Sequence, residues 1–309
     1  MIGNAIVGES GAIRHLRALI ATAAPTRLPV LVEGPTGSGK ELVAAALHQA
    51  SGRRGRLVAF NVCAIGDSLF EDALFGHVRG AFTGAASDAL GFLREADAGT
   101  VFLDEISGLP WALQAKLLRA VETGEFRPVG ASRDAHSDFR VVAATNERLD
   151  VLVSERRFRA DLAHRIGAVV LQVPPLAERV EDLPLLVSHF LACAGAAHLA
   201  LASEALATLQ DHDWPGNVRE LKQVVEWTAV LTDTHDGRCI TADSVRTALA
   251  QRARARAVAI ETPLVERRLL QLTLEHHGWN TVNAARALGI HRATLYRRMK
   301  RLRLSLPGS

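Results

Sequence analysis

Seven residues, Gly34-Pro35-Thr36-Gly37-Ser38-Gly39-Lys40, carry the strongest chemical signal in the chain. They fit the pattern G-x-x-x-x-G-K between an apolar run at 28–33 and a segment with helical spacing at 41–50. In that context the glycines let backbone N–H groups curl around a phosphate, the helix N-terminus adds positive potential, and Lys40 reaches the terminal phosphates. The competing reading is a glycine-rich turn that caps a helix and binds nothing. The hydroxyl residue that ordinarily follows the lysine and ligates Mg²⁺ is replaced by Glu41, itself a hard oxygen donor. Such a loop needs an acid at the end of a neighbouring buried strand, and Thr100-Val101-Phe102-Leu103-Asp104-Glu105 supplies two. Asp104 would hold Mg²⁺, and Glu105 would polarise the water that attacks ATP. Alone, the acid pair reads as a helix cap; beside a phosphate loop it reads as the site's acidic wall.

Elements must hold these groups together. Apolar strand-like runs occur at 28–33, 57–61, 100–104, 139–145 and 168–173, separated by helical segments such as 41–50 and 111–123. Strands alternating with helices predict an α/β unit over 1–173, a parallel sheet covered on both faces. Pro174-Pro175 breaks the pattern, and helical spacing at 181–193, 203–212, 217–231 and 242–250 predicts a helical second unit over 174–250. The polar stretch 251–262, with Arg252, Arg254 and Arg256, reads as a linker, and a last unit spans 263–309.

Bulk properties narrow the class. Hydrophobic residues make up 48% and aromatics only 5%, so the cores are built from Leu, Val, Ile and Ala, against an aromatic-rich β-sandwich. No apolar run is long enough for a membrane span and the first residues form no signal peptide. Cys63, Cys193 and Cys239 are odd in number and far apart, and read as buried reduced thiols of a cytoplasmic protein. From Pro263 onward nine basic residues face two acidic ones, a net of +7, while the remainder holds 27 basic and 31 acidic residues, a net of −4. A basic tail on an acidic body is expected when only the tail meets nucleic acid.

Within that tail, 280–288 carries Val282, Ala285 and Leu288 at helical spacing, then Gly289-Ile290, then a second helical stretch to 302 with Leu295, Met299 and Leu302 on one stripe. Two short helices with a glycine turn, the second basic, predict a helix-turn-helix. His291, Arg292 and Thr294 would approach base edges, while Arg297, Arg298 and Arg301 mostly contact phosphates. Thr281, Arg286 and Tyr296 serve phosphate contact or packing; the residues alone leave both open. The histidines show no metal-ligand spacing.

One segment fits neither helix nor strand. Phe75-Gly76-His77-Val78-Arg79-Gly80-Ala81-Phe82-Thr83-Gly84-Ala85 surrounds one Phe and one Thr with small residues. It reads as a mobile loop presenting an aromatic to a partner, or as a buried turn.

Gly80-Ala81-Phe82-Thr83-Gly84-Ala85 matches the GAFTGA signature of the bacterial enhancer-binding proteins, the AAA+ ATPases that activate sigma-54 RNA polymerase. Residues 34–41 resemble that family's Walker A, where Glu commonly follows Lys, and 99–106 its Walker B. Val142-Ala143-Ala144-Thr145-Asn146 resembles sensor I, Phe158-Arg159-Ala160-Asp161-Leu162 with Arg165 the arginine-finger region, and Trp214-Pro215-Gly216-Asn217-Val218-Arg219-Glu220-Leu221 sensor II. The C-terminal unit resembles the family's Fis-type helix-turn-helix. The likeness runs through essentially the whole chain in the family's order.

The resemblance implies an AAA+ P-loop domain with a helical lid and a C-terminal helix-turn-helix. It implies ATP and Mg²⁺ at the interface of a ring, a homo-hexamer, with Asp104 and Glu41 toward the metal. Asn61 aligns with a polar switch residue that restrains Glu105; Thr145 and Asn146 would sense the γ-phosphate; Arg159 and Arg165 would act in the neighbouring subunit's site. Arg219 would contact nucleotide from the lid, and Val7 and Gly8 would border the adenine pocket. Hydrolysis would move the loop bearing Phe82 and Thr83 against the sigma-54–polymerase closed complex, while the last unit holds upstream enhancer DNA. Two departures stand out: Asn61-Val62-Cys63-Ala64, where the family usually has Asn-Cys-Ala-Ala, and Leu176-Ala177-Glu178-Arg179, which lacks the common first arginine. Neither is expected to touch the nucleotide chemistry. A rival reading uses nucleotide only as an oligomerisation switch on a DNA-bound regulator; the intact Phe82-Thr83 pair argues against it. A clamp loader or unfoldase leaves both loop and basic tail unexplained. The AAA+ region starts almost at Met1, so control by expression, by an inhibitory protein or by a paralogous subunit is expected, unless the sequence is a truncated piece.

Overall fold

The computed structural model describes residues 6–64, 67–233, 238–302 and 304. The chain divides into two compact units, 1–242 and 243–309. In the first, α1 (Gly11–Ala23) precedes β1 (Val30–Glu33), α2 (Lys40–Ala50) and β2 (Leu57–Asn61). Helix α3 (Asp67–Phe75) leads into an insertion opened by β3 (Gly76–His77) and closed by β4 (Ala89–Leu90). Then come α4 (Phe92–Glu95), β5 (Thr100–Asp104), α5 (Trp111–Thr123) and a hairpin of β6 (Glu125–Phe126) and β7 (Ala135–His136). Strand β8 (Arg140–Thr145), α6 (Leu149–Ser154), α7 (Ala160–Ile166) and β9 (Val169–Gln172) complete the α/β layer.

Five strands form one parallel sheet in the order β2-β5-β8-β1-β9. Alternate side chains go to opposite faces. Leu31, Val101, Leu103, Val141 and Ala143 meet Phe70, Leu113, Leu117 and Leu162 on one face. Val30, Val32, Phe102, Val142 and Ala144 meet Ile13, Leu16, Ile20 and Leu47 on the other. Both faces are covered, which is why these strands read as unbroken apolar runs. All the carboxyl ends therefore point the same way, toward the loops that carry Lys40, Asp104 and Asn61.

The lid follows: α8 (Leu183–Cys193), α9 (Ser203–Gln210) and α10 (Asn217–Asp233), with a two-stranded pair of β10 (Ala200–Leu201) and β11 (Cys239–Ile240). In the second unit, α11 (Ala242–His276) precedes α12 (Thr281–Ala287) and α13 (Arg292–Arg301). The expected linker at 251–262 lies inside α11. Its Ala and Arg residues are strong helix formers, and the polar content that suggested a linker serves an exposed helix equally well. Among the described residues no helix is long and apolar enough to cross a membrane.

Candidate active site and the surfaces around it

The phosphate loop leaves β1 after Glu33, and the Gly34 N–H is held by the Thr145 carbonyl at 3.2 Å. Gly37 and Gly39 take φ of +78° and +107°, the left-handed region in which a side chain is strained. Gly39 thereby becomes the N-cap of α2 and Lys40 its first residue, so the first-turn amides, which lack i−4 carbonyls, open toward the cleft. Lys40 is buried, its Nζ donating to Gly34 O at 3.0 Å and Pro35 O at 3.4 Å and standing 3.8 Å from Glu105 Oε1. The Ser38 hydroxyl is buried without a partner. Free amides, an orphaned hydroxyl and one lysine form a donor set that fits phosphate oxygens.

Across the cleft, Asp104 ends β5 in register with Asn61 at the end of β2. Asn61 Nδ2 donates to Asp104 Oδ2 at 3.0 Å, and Asn61 Oδ1 accepts the Cys63 N–H at 3.0 Å. The expected partner of Asn61 was Glu105; here its amide is spent on Asp104. Glu105 itself sits at φ +56°, ψ +50°, a left-handed non-glycine residue that turns the chain sharply after the strand. A cleft of 530 Å³ gathers Val7, Thr36, Gly37, Ser38, Gly39, Lys40, Glu41, Asn61, Asp104, Glu105 and Arg219. Mg²⁺ is an ion bound through one or two carboxylates and substrate phosphates. Asp104, Glu105 and Glu41 are the carboxylates that line the cleft, Asp104 and Glu41 being the two expected toward the metal.

Several expected contacts fall elsewhere. Gly34 and Pro35 border a separate groove beside α1 and β9. Thr145 is fully buried, its hydroxyl donating to Glu147 O at 2.9 Å and accepting the Glu147 N–H at 3.0 Å, so it closes the turn after β8. Asn146 reaches the loop indirectly, donating to the Thr36 hydroxyl at 3.0 Å. Gly8 packs against Asp182, where a Cβ would meet the carboxylate at 2.6 Å.

Sequence reasoning missed Arg179 and Asp182. Arg179 is buried in the cleft wall and donates to Ser38 O at 3.1 Å, with its Nε unpartnered. Burial pulls its guanidinium below the ordinary arginine range, while the Asp182 charge works the other way. Asp182 accepts from Glu9 N at 2.6 Å, Ser10 N at 2.8 Å and Ser10 Oγ at 2.7 Å, tying the segment before α1 to the lid. Arg179 stands in the sequence only as the end of Leu176-Ala177-Glu178-Arg179, a segment not expected to touch the nucleotide chemistry, and nothing there marks Asp182. The lid also meets the loop directly: Arg219 N–H donates to Gly37 O at 3.2 Å, and a Cβ on Gly37 would lie 2.4 Å from Gly216 O.

Arg159 and Arg165 do not line this cleft. Arg159 is the N-cap of α7, its guanidinium forked onto Asp161 at 3.0 and 2.7 Å. Arg165 is exposed and its Nη2 lies 3.5 Å from Val121 O.

The insertion between β3 and β4 presents Gly80, Phe82, Thr83 and Gly84 at the surface, with Ala85 tucked under. Gly80 N–H donates to Ala85 O at 2.9 Å, closing the tip. Phe82 is 42% exposed and leans edge-on against His77, whose imidazole bonds Asp72. The loop following β6 braces it: Val78 N–H donates to Val129 O at 3.1 Å, and Gly130 leaves room that a Cβ would fill against Ala81. The exposed aromatic expected of this segment is therefore present, on a hydrogen-bonded tip. The expectation of buried cysteines fails, since Cys63, Cys193 and Cys239 are all exposed and unpaired. Cys63 lies in the turn (Val62–Ala64) beyond β2, where the strand's burial has ended.

In the second unit Asn280 caps α12, accepting Val282 N–H at 3.0 Å and Asn283 N–H at 3.2 Å. Gly289, at φ +64°, turns the chain into α13. Leu270, Leu274, Ala284, Ala285, Leu295 and Met299 form the core. Of the apolar residues at helical spacing in this segment, Val282 is exposed and Ala285 buried, with Ala284 also inward. Tyr296 OH meets Thr281 Oγ1 at 3.4 Å and accepts from Arg292 at 3.1 Å, so Thr281 and Tyr296 pack the two helices together. His291, Arg292 and Arg297 are exposed, while Thr294 and Arg298 are half-buried, Arg298 lying 3.5 Å from Glu266. The Arg301 side chain lies outside the described residues.

Three family models match in succession: "Sigma-54 interaction domain" over residues 6–172, "AAA+ ATPase lid domain" over 177–261, and "Bacterial regulatory protein, Fis family" over 262–302. The chain is 38% identical over 319 residues to a putative uric acid sigma-54-dependent transcriptional regulator of Escherichia coli, covering 97% of this chain and 54% of that protein. It is 40% identical over 331 residues to the regulatory protein LuxO of Vibrio cholerae, covering 98% and 62%. It thus spans between half and two thirds of the length of these relatives. Among solved structures, NtrX from Brucella abortus in complex with ADP is similar at a TM-score of 0.73 and 33% identity, covering 98% of this chain and 69% of that one. The same protein in complex with ATP gives 0.71 and 34%, covering 97% and 69%. A RuvB branch-migration motor from Thermotoga maritima, at 14% identity and a TM-score of 0.53, shares the fold alone.

Proposed function

The chain belongs to the sigma-54-dependent transcriptional regulators, and from that premise we propose that it is an ATP-driven activator of sigma-54 RNA polymerase. One observation carries the reading: a phosphate-loop cleft, an exposed GAFTGA tip and a basic helix-turn-helix occur in one chain.

ATP enters the cleft with its phosphates on residues 36–40 and its base toward Val7. When bound, Mg²⁺ offsets the phosphate charge, with Asp104 and Glu41 as its protein donors. Lys40 steadies the terminal phosphates, and Glu105 orients and polarises the attacking water. Arg159 and Arg165 of the adjacent subunit stabilise charge on the transferring phosphoryl group, which requires a neighbouring subunit, and a hexameric ring would supply one. Arg219, whose own amide touches Gly37, reports the nucleotide state to the lid. The loop bearing Phe82 and Thr83 meets the sigma-54 closed complex and remodels it, while the helix-turn-helix holds enhancer DNA.

The test is ATP-dependent open-complex formation on a sigma-54 promoter with purified holoenzyme. Opening by the wild type and none by Glu105→Ala, which still binds ATP, is the expected outcome. No opening by the intact protein with its promoter DNA counts against the reading.

A further inference from the structure

Gln114, in the first turn of α5, is fully buried. Its Nε2 donates to Leu109 O at 3.0 Å and to Arg157 O at 3.1 Å, and its Oε1 accepts the Arg159 N–H at 2.8 Å. A primary amide has two donor hydrogens, and both are used. Packing alone does not call for this residue, because an apolar side chain of the same length would fill the space without desolvating an amide. The three partners are all main chain, so the amide acts as a rigid junction between two segments.

Those two segments are the ones the site depends on. Leu109 closes the turn that begins at Glu105, through Gly108 N–H to Glu105 O at 3.0 Å and Leu109 N–H to Ile106 O at 3.0 Å. Arg157 and Arg159 flank Phe158, whose ring is buried in the core. Arg159 is therefore held twice, its main chain by Gln114 and its guanidinium by Asp161. The Glu105 turn keeps its own backbone hydrogen bonds without Gln114, whereas the Arg159 amide has Gln114 as its acceptor.

We propose that Gln114 is a positioning residue for Arg159, anchoring that arginine to the turn of its own subunit's Glu105. The acidic turn and the arginine offered to the neighbour then move as one body. This rests on the reading that Arg159 acts in the adjacent subunit's site.

Mixing of subunits tests it. Gln114→Met keeps the side-chain length and removes all three hydrogen bonds; it should lower kcat about tenfold while leaving nucleotide Kd within about twofold. Its own P-loop and Glu105 remain sound, so mixing it with Lys40→Ala, which has a dead P-loop and an intact Arg159, should restore hydrolysis to about threefold or more above the sum of the two alone. Arg159→Ala mixed with Lys40→Ala is the control. Restoration in the control but not with Gln114→Met overturns the inference, as does an unchanged kcat in Gln114→Met alone. No restoration in the control overturns the trans-acting reading of Arg159, and the inference with it. If Gln114→Met does not fold, Gln114→Asn, which keeps a buried amide but is one methylene too short to reach the Arg159 N–H, is read by the same mixing and the same criteria.

Discussion

Asn61 donates its side-chain amide to the Asp104 carboxylate at 3.0 Å, from directly opposite positions at the ends of β2 and β5. A neutral donor on a carboxylate fixes that carboxylate's rotamer and leaves its charge available to a cation. Asn61→Ala should lower kcat about tenfold with ATP affinity nearly unchanged. Asn61→Asp should fall further, because it sets a like charge against Asp104. Steady-state hydrolysis beside equilibrium nucleotide binding measures both; a loss of affinity with turnover unchanged would place Asn61 in ground-state binding instead.

Gly37 couples the phosphate loop to the lid. A Cβ there would lie 2.4 Å from Gly216 O on a backbone at φ +78°. Gly37→Ala should cost about 1–2 kcal/mol from the backbone alone and weaken nucleotide binding as the lid is pushed away. Gly11→Ala, where a Cβ meets nothing within 4 Å, is the neutral control. Thermal melts and nucleotide titrations read both variants, and a Gly37→Ala protein that binds like the wild type refutes the coupling.

The sheet and its site were legible because β1, β5 and β8 are buried on both faces and lead into chemically marked residues, Gly34 just after β1, Asp104 and Thr145 at the ends of β5 and β8. Strand limits at 57–61 and 100–104 and helix limits at 111–123 agree with the structure to the residue. What was hidden is tertiary. Arg179 and Asp182 matter through contacts 141 and 172 residues away in sequence, and no local pattern foretells those contacts. The linker at 251–262 misled because Ala and Arg suit an exposed helix as well as a polar tether. Thr145 was read as a nucleotide sensor, yet its hydroxyl is spent on the main chain of Glu147.

Cys63 reports on the acidic wall. Partial desolvation of its sulfur first, and then the Glu105, Asp104 and Glu147 carboxylates, push the thiol of this exposed residue above the ordinary range. Only the thiolate is nucleophilic, so raising the pKa lowers the thiolate fraction near neutral pH. Iodoacetamide labelling of Cys63 at pH 7.5, followed by peptide mass spectrometry, should run slower than with a free cysteine and accelerate in Asp104→Asn. A rate insensitive to that substitution contradicts the assignment.

The helix-turn-helix should bind DNA with a steep salt dependence. Arg297→Ala, removing an exposed cation of α13, should reduce the slope of log affinity against log salt by about one. Arg292→Ala should instead relax sequence preference, with some loss of stability from its contacts to Tyr296. Titrations across a salt series on operator and scrambled DNA separate the two effects, and an unchanged slope in Arg297→Ala removes it from the phosphate contacts.

The central claim is that hydrolysis at Lys40 and Glu105 is spent on moving Phe82 and Thr83. Measuring promoter opening and ATP turnover side by side in Thr83→Ala tests it most directly. The account predicts turnover within about twofold of the wild type and opening reduced by about thirtyfold or more. Equal opening by wild type and Thr83→Ala, at equal turnover, would contradict it.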